Sequence, residues 1–520
     1  MSIPGLQSTG NFSPAGVWSR VRLMDPTLSL RLAILLILLG LANASPHKRD
    51  FGHCENVVKK WASSALSLEV KEDKHTLRDL LFFLHVPRTG GRTYFHCLLK
   101  KLYPNDLECP RSYDKLRFDP SKQKCRLLVT HDDYSMMSKL PKDRTSVVTI
   151  LRDPVDRVFS TYEFSVEVAA RFLVHPNLTS ATKMAGRLRS KTKGFGVSTL
   201  DIWPWKYLVP WMREDLFARR DSRRLSGSRN IYSSDPYNME DIVMPLHKYI
   251  NDPVAQEIIH NGATFQIAGL TNNSYIPESH EVRHCIMQHK ELGEIVLEVA
   301  KRRLDNMLYV GLTEDHRESA TMFADVVGAQ VISQLRGSSS GVQTAATNES
   351  EQSSLSDSEP DDEHSQNATL EFEVSMKEIS EASKENMTVG KLMESYESCI
   401  STLRKTQSLR RISSLKRISP ANFTKESRHQ VGEAVLQEIK SLNNLDLELY
   451  EYAKDIFAQQ HRRTTQKSAV TVKEKFTNTI TSSYGSSWWN HFFLFLPIIL
   501  LLVFFILFVN ARRRTSKVKI

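Results

Sequence analysis

An apolar run, Leu81-Phe82-Phe83-Leu84-His85-Val86, breaks off at Pro87-Arg88-Thr89-Gly90-Gly91-Arg92-Thr93, and the chain continues to Leu102 with apolar residues at helical spacing. The run has the length and composition of a buried strand. A strand that enters a helix through adjacent glycines points backbone N–H groups and the positive end of a helix dipole at the space above the turn. With Arg88 and Arg92 beside it, that space suits an anion. Such a turn belongs at the carboxyl edge of an open α/β sheet, where these folds bind ligands.

The surrounding sequence supports that class. From about Asp79 to Gln330, strand-like pieces (Leu80–His85, Arg126–Thr130, Ser146–Leu151, Thr264–Ala268, Met307–Gly311) alternate with helix-like ones (Thr93–Leu102, Val155–Phe172, Val282–Arg303, Asp315–Gly328). The alternation predicts a mainly parallel sheet flanked by helices, its main part spanning 79–336 after an N-terminal segment at 45–78. Past Gly337 the composition turns to Ser, Thr, Asn, Gln, Asp and Glu, with an acidic run from Ser356 to Glu363. The stretch Gly337–Glu371 cannot bury enough apolar area to offset its ordering entropy, so it reads as disordered, within a low-complexity acidic insertion set at 337–405. Order is expected again from Val431 to Gln460, in a C-terminal part of the domain set at 406–463, where Leu442, Leu445, Leu449, Tyr452, Ile456 and Phe457 recur at helical spacing and should dock back onto the sheet.

Both ends carry membrane signals. Arg31 precedes the apolar stretch Leu32–Ala42, and Ala42-Asn43-Ala44 offers a small-x-small cleavage site, so 1–44 reads as a signal peptide region, with an uncleaved signal anchor as the alternative. Near the other end an uncharged apolar stretch sets a transmembrane helix at 491–510, with a stalk at 464–490 before it. Trp488 and Trp489 suit one interface, and Arg512, Arg513, Arg514, Lys517 and Lys519 mark 511–520 as a cytosolic tail. Together these signals predict a single-pass type I protein with its bulk in the secretory lumen. Sequons at Asn177, Asn272, Asn348, Asn367, Asn386 and Asn422 agree. So do the six cysteines, all on the lumenal side, whose 15 connectivities stay open and whose spacing fits no zinc pattern. The net charge of +10 suggests an acidic partner, and Arg219, Arg220, Arg223, Arg224 and Arg229 form one basic cluster.

A second anion site follows the third expected strand, in Leu151-Arg152-Asp153-Pro154 and the helix to Ser160. Asp153 is a cap and Pro154 a first-turn residue, so the exit from strand to helix is sharp. Arg152 at the strand end and Ser160 two turns along suit a phosphate monoester, which accepts a guanidinium and a hydroxyl together. Nucleotide hydrolysis of the Walker type fits poorly: there is no GxxxxGK[ST] and no acidic pair to hold magnesium.

Taken together, the loop His85–Thr93 resembles the 5′-phosphosulfate loop of sulfotransferases, and Arg152 to Ser160 resembles their 3′-phosphate site. In order and spacing the pair is similar to Golgi sulfotransferases, nearest the branch with the heparan sulfate 6-O-sulfotransferases. Further similarity covers Tyr309–Glu314 and Leu445–Asp455. The resemblance implies a P-loop-like sulfotransferase fold and 3′-phosphoadenylyl sulfate as co-substrate, held by His85, Val86, Pro87, Arg88, Thr89, Gly90, Gly91, Arg92, Thr93, Arg152 and Ser160, with Lys425 closing over it. It implies no metal and no nucleic acid. His131, in Thr130-His131-Asp132-Asp133, matches the family's base-supplying segment, and Asp132 or Asp133 would orient its ring. Arg88 would stabilise the departing nucleotide where the family usually has lysine.

After Ser160 the 6-O-sulfotransferases carry basic residues where this chain has Thr161-Tyr162-Glu163-Phe164. That departure, with Arg88, the acidic insertion and the C-terminal anchor, is similar to plant-type tyrosylprotein sulfotransferases. The implied substrates are acidic tyrosine-containing peptides in the Golgi, read by basic side chains such as Arg219 to Arg229, with Tyr134, Trp203, Trp205 and Trp211 as candidates to line an acceptor cleft. A polysaccharide sulfotransferase and an inert lumenal receptor remain the alternatives, and the oligomeric state stays open.

Overall fold

The computed structural model describes residues 46–67, 74–110, 119, 122, 124–173, 175–177, 179–180, 217–218, 220–222, 225, 235–238, 244–339, 387–415, 423–484 and 488–515. The expected signal peptide, the acidic run Ser356–Glu363, Trp203, Trp205, Trp211, Arg219, Arg223, Arg224, Arg229 and half of the cytosolic tail lie outside these residues.

Four parallel strands form the centre: β1 (Leu80–Leu84), β2 (Leu127–Thr130), β3 (Thr145–Leu151) and β4 (Tyr309–Leu312), in the order β2-β1-β3-β4. β1 and β3 are buried along their whole length, which is why they read as continuous apolar runs and not as alternating ones. β4 starts two residues later than expected. Helices cover the sheet. Pro46–Ser67 (α1) lies against Ser279–Gln288 and Gly293–Asn306. Gly91–Tyr94 runs through a π-helical turn, Phe95–Leu99, into Lys100–Leu102, and the three pieces together form α2. Pro154–Phe172 (α3) starts as expected, with the Asp153 carboxylate accepting from the Asp156 N–H at 3.0 Å and Pro154 in the first turn.

Three expectations are corrected. Thr264–Ala268 is no strand: Gly262–Ile267 forms a helix (α4). Its apolar, β-branched composition is overridden from far along the chain, because the Asp446 carboxylate accepts the Ala263 N–H at 3.2 Å, the Thr264 N–H at 2.7 Å and the Thr264 hydroxyl at 2.7 Å. A side chain therefore caps this helix from outside it, which no local pattern reveals. The expected single helix Val282–Arg303 is two, interrupted by a 3₁₀ turn at Lys290–Leu292.

The third correction concerns the acidic insertion. Part of 337–405 is ordered, since Val389–Leu415 is a helix (α5) that crosses the expected boundary. Leu392, Tyr396, Cys399 and Leu403 repeat at intervals of four, three and four and are buried against the core. Cys399 is bonded to Cys97 of α2, across a separation of 302 residues. The other pairs are Cys54–Cys285, which ties α1 to the helix beneath it, and Cys109–Cys125.

The apolar C-terminal pattern also resolves into two helices. Glu433–Leu442 ends at buried Asn443, and Asn444–Tyr484 (α6) packs Leu445, Leu449 and Phe457 into the core, running on through most of the segment expected to be a stalk. Trp488–Thr515 (α7) contains a stretch, Phe495–Arg512, of mean hydropathy 2.5 that is long and apolar enough to cross a membrane.

Converting both Cys97 and Cys399 to serine is expected to lower the unfolding free energy by about 2–5 kcal/mol. Urea denaturation of the solubilised chain under non-reducing conditions reads this; an unchanged midpoint would show that apolar packing alone holds α5 in place.

Candidate functional site

The turn between β1 and α2 is built as the sequence suggested. Gly90 has φ 81° and Arg88 has φ 65°, both in the left-handed region, so the chain reverses within a few residues before α2 begins at Gly91. Gly91 is required for space: a Cβ there would come within 2.1 Å of the His85 ring. The Thr89 hydroxyl donates to the Val86 carbonyl at 2.7 Å, and Thr313, just after β4, donates to the Thr89 carbonyl at 2.7 Å. The segment Tyr309–Glu314 thus braces the loop from the far side of β3. Pro87, Arg92 and Thr93 are half-buried along the same turn, and Gly90 is exposed.

Arg88 and Ser160 meet, although the sequence paired Ser160 with Arg152. The Arg88 guanidinium donates from Nε at 3.1 Å and from a terminal nitrogen at 3.0 Å to the Ser160 hydroxyl, and it lies 4.4 Å from the centre of the Phe164 ring. Burial and the neighbouring Arg152 cation lower its pKa to about 10, so it stays charged at neutral pH. Arg152 donates to the Arg88 carbonyl at 3.3 Å, which places both arginines at the β1–β3 edge of the sheet. Burial depresses the Arg152 pKa as well. Its Nε is buried without a hydrogen bond among the described residues, and the Glu314 carboxylate is 3.9 Å away. A cationic, incompletely satisfied edge of this kind fits a polyanionic nucleotide.

His131 follows β2 and packs against the His85 ring, with centroids 4.2 Å apart. Its Nδ1 lies 3.1 Å from the His85 carbonyl oxygen. A carbonyl can only accept, so Nδ1 carries the proton and Nε2 the lone pair. Burial lowers the His131 pKa to about 4, which keeps the ring neutral near neutral pH. This carbonyl holds the ring at Nδ1, while Asp132 and Asp133, expected to orient it, have further partners. Asp132 accepts from Thr130 at 2.9 Å and from Asn273 at 3.3 Å, while Asp133 caps the 3₁₀ turn Tyr134–Ser138 and takes the Thr271 N–H and hydroxyl at 2.9 and 2.7 Å.

Other side chains have settings of their own. Lys425 is exposed at the start of the short helix Lys425–His429, while Arg428 on the same turn points inward. Arg428 donates to Glu163 at 2.9 Å and to Asp156 at 2.6 Å, and Arg411 of α5 donates to Glu163 at 2.9 Å. The acidic residue after Ser160 is therefore buried against this chain's own arginines. Phe164 carries Arg88, and Tyr162 is buried, so the departure at 161–164 is accounted for by packing within the chain. Tyr134 is buried beneath Arg303, 4.4 Å from the ring centre. Arg220 is spent on the carbonyls of Leu173 at 2.7 Å and Pro176 at 2.8 Å.

Sequence reasoning missed Gln266, Thr313, Glu163, Arg411 and Arg428 as builders of this edge. For Thr313 a signal was present in the Tyr309–Glu314 similarity. Gln266 had none, because its segment reads as a strand.

No protein-family model matches the chain. It is 58% identical over 499 residues to the protein-tyrosine sulfotransferase of Arabidopsis thaliana, covering 94% of this chain and 99% of that one. The chain belongs to the protein-tyrosine sulfotransferase family. A local likeness of 48% over 67 residues, 12% of this chain, links it to human heparan-sulfate 6-O-sulfotransferase 3, and one of 46% over 67 residues to the mouse protein of the same name. Family membership makes this chain a sulfotransferase, for which 3′-phosphoadenylyl sulfate is the implied donor. The residues at the β1–β3 edge fit such a donor by their charge, the glycine cradle and the unsatisfied Arg152 nitrogen.

Gly91→Ala is expected to weaken binding of adenosine 3′,5′-bisphosphate more than tenfold by calorimetry, because the His85 ring must move. Gly52→Ala, whose added Cβ would meet nothing within 4 Å, should leave that affinity unchanged. Equal effects of the two substitutions would place the nucleotide elsewhere.

Proposed function

We propose that this chain transfers the sulfuryl group of 3′-phosphoadenylyl sulfate to the phenolic hydroxyl of tyrosines in secreted peptides and proteins. The observation that carries the reading is the 58% identity to a protein-tyrosine sulfotransferase over nearly the whole of both chains. The 6-O-sulfotransferase likeness covers only 12% of this chain, too little to transfer a sugar acceptor.

In this reading the donor supplies an activated sulfuryl group, and the chain supplies position and charge. Thr89, Gly90, Gly91, Arg92 and Thr93 hold the phosphosulfate end, with His85, Val86 and Pro87 shaping the turn. Arg88, Arg152 and Ser160 neutralise and orient the nucleotide. A guanidinium of pKa about 10 stays protonated, so Arg88 offsets the charge that builds on the departing phosphate without giving up a proton. The tyrosine oxygen attacks sulfur, the bond from sulfur to the bridging phosphate oxygen breaks, and the phenolic proton passes to Nε2 of His131. An imidazole this weakly basic cannot deprotonate a free phenol. It takes the proton once bonding to sulfur has acidified the oxygen, which makes the proton transfer late. Lys425, exposed beside the inward Arg428, closes over the bound donor in this reading.

The helix Phe495–Arg512 would anchor the protein in the Golgi membrane as a type I chain with its catalytic part in the lumen. The disulfides and sequons agree with that side of the membrane. Acidic peptides are the favoured acceptors, given the net charge of +10.

Incubation with labelled donor should put label on an Asp-Tyr peptide; label only on desulfated heparan would overturn the acceptor assignment. His131→Ala is expected to lower kcat by about 10²–10⁴ while its affinity for adenosine 3′,5′-bisphosphate stays within about threefold. The depressed pKa leaves the base neutral above about 4, so kcat/KM should be level from pH 8 to 5 and fall tenfold per pH unit only below about 4. An acid limb near 6.5 would mean a solvated imidazole and a different proton acceptor.

A further inference from the structure

We propose that Gln266 is a positioning residue for sulfuryl transfer, fixing the tautomer and orientation of the His131 ring by holding the carbonyl to which that ring donates. The proposal rests on the reading of His131 as the base. Gln266 lies on α4 and is 3% exposed. Its side-chain amide nitrogen lies 3.2 Å from the His85 carbonyl, 3.0 Å from that of His131 and 3.2 Å from that of Asp132.

Only the amide nitrogen can face three carbonyl oxygens, since the amide oxygen there would meet acceptors alone. Its two hydrogens serve three acceptors, so at least one is shared. The placement is specific to the end of the ladder. β1 and β2 pair up to Leu84 and Thr130, and the last main-chain bond between them runs from the His85 N–H to the Thr130 carbonyl at 3.1 Å. Beyond that point the chains diverge, towards the phosphate loop on one side and towards Asp132 on the other. Gln266 bridges the two just where the ladder stops.

The His85 carbonyl thereby takes two donors, Gln266 Nε2 and His131 Nδ1–H, which use both of its lone-pair directions. If the carbonyl is held, Nδ1 keeps its proton and Nε2 its lone pair. If it is released, the imidazole loses the contact that selects between its tautomers, and the ring can turn about χ2. An apolar residue could fill the same volume, but it would leave buried carbonyls without this donor.

Four variants test this, with single-turnover transfer to a labelled tyrosine peptide and binding of adenosine 3′,5′-bisphosphate as readouts on the full chain. Gln266→Leu is expected to lower kcat about 10–100-fold with nucleotide affinity within threefold. In a His131→Ala background it should add less than a twofold effect, because the group it positions is gone. Gln266→Glu sets a carboxylate against three carbonyl oxygens when ionised and can donate only when protonated. Its kcat should therefore rise as pH is lowered from 8 to 5.5, over a range where the parent is level. Gln266→Leu losses that are as large without His131 as with it, or a kcat within twofold of the parent, would overturn the proposal. Where Gln266→Leu fails to fold, the Gln266→Glu profile decides, and a level or falling one overturns it. Full activity in His131→Ala would remove the base assignment itself. An inactive His131→Ala beside an indifferent Gln266→Leu would remove only the role given to Gln266.

Discussion

The buried pair of Arg157 and Asp446, 2.6 Å apart and each 1% exposed at the side chain, is the contact on which the catalytic edge depends. Burying two charges costs several kcal/mol per ion, which hydrogen-bond partners must offset. Most of them are present, although the Arg157 Nε makes no hydrogen bond among the described residues. Arg157 also donates to the Ile258 carbonyl at 2.8 Å, and Asp446 accepts two N–H groups and a hydroxyl from the first turn of α4. The pair joins α3 one turn before Ser160, α4 at Ala263 and Thr264, three and two residues before Gln266, and the start of α6. These segments are 289 residues apart at the extremes. No single one of them could hold its share of the site alone.

The joint is reciprocal. While Asp446 caps α4, the Asn261 side chain, at the residue just before α4 and at φ 52°, accepts the Leu445 and Asp446 N–H groups at 2.9 and 3.2 Å and so caps α6. Each helix supplies the acceptor that the other's first turn lacks. A second joint works alike: Glu163 of α3 receives Arg411 from α5 and Arg428 from Lys425–His429. The parts of the chain that follow the acidic segment are thus fastened to the helix that carries Ser160. Such a segment can be long without loosening the site, because loop-closure entropy grows only with the logarithm of length.

Those joints mark where the sequence is legible. β1, β3, the glycine turn and the Asp153-Pro154 cap could be read because their causes are local: apolar runs, a missing Cβ, a carboxylate three residues from the N–H that it accepts. Thr264–Ala268 was misread because its helix is decided by Asp446, and Gln266 was hidden with it. α5 was within reach, since Leu392, Tyr396, Cys399 and Leu403 form a helical stripe, but the acidic composition before it masked the change. At the site, the loop His85–Thr93 and the cluster of Arg152, Ser160 and His131 were visible as residues. What could not be read was their pairing, for it depends on how α3 lies across the sheet.

Arg88 shows why that pairing matters. A non-glycine residue at φ 65° costs roughly 1–2 kcal/mol in steric strain. Here the conformation is held from both sides: the guanidinium by Ser160 and the Phe164 ring, the carbonyl by Arg152. All three restraints come from α3 and the residue that follows β3, which are proposed to bind the 3′-phosphate, whereas the turn they hold is proposed to bind the phosphosulfate. The two ends of the donor site therefore share one strained residue. A ligand that recruits Arg152 or Ser160 changes what holds Arg88, and through Arg88 the turn in which Gly90 and Gly91 stand. On the proposed placement the β1–β3 edge would act as one receptor for a bis-anionic ligand, and the loss of either anion from that ligand should be felt at both ends.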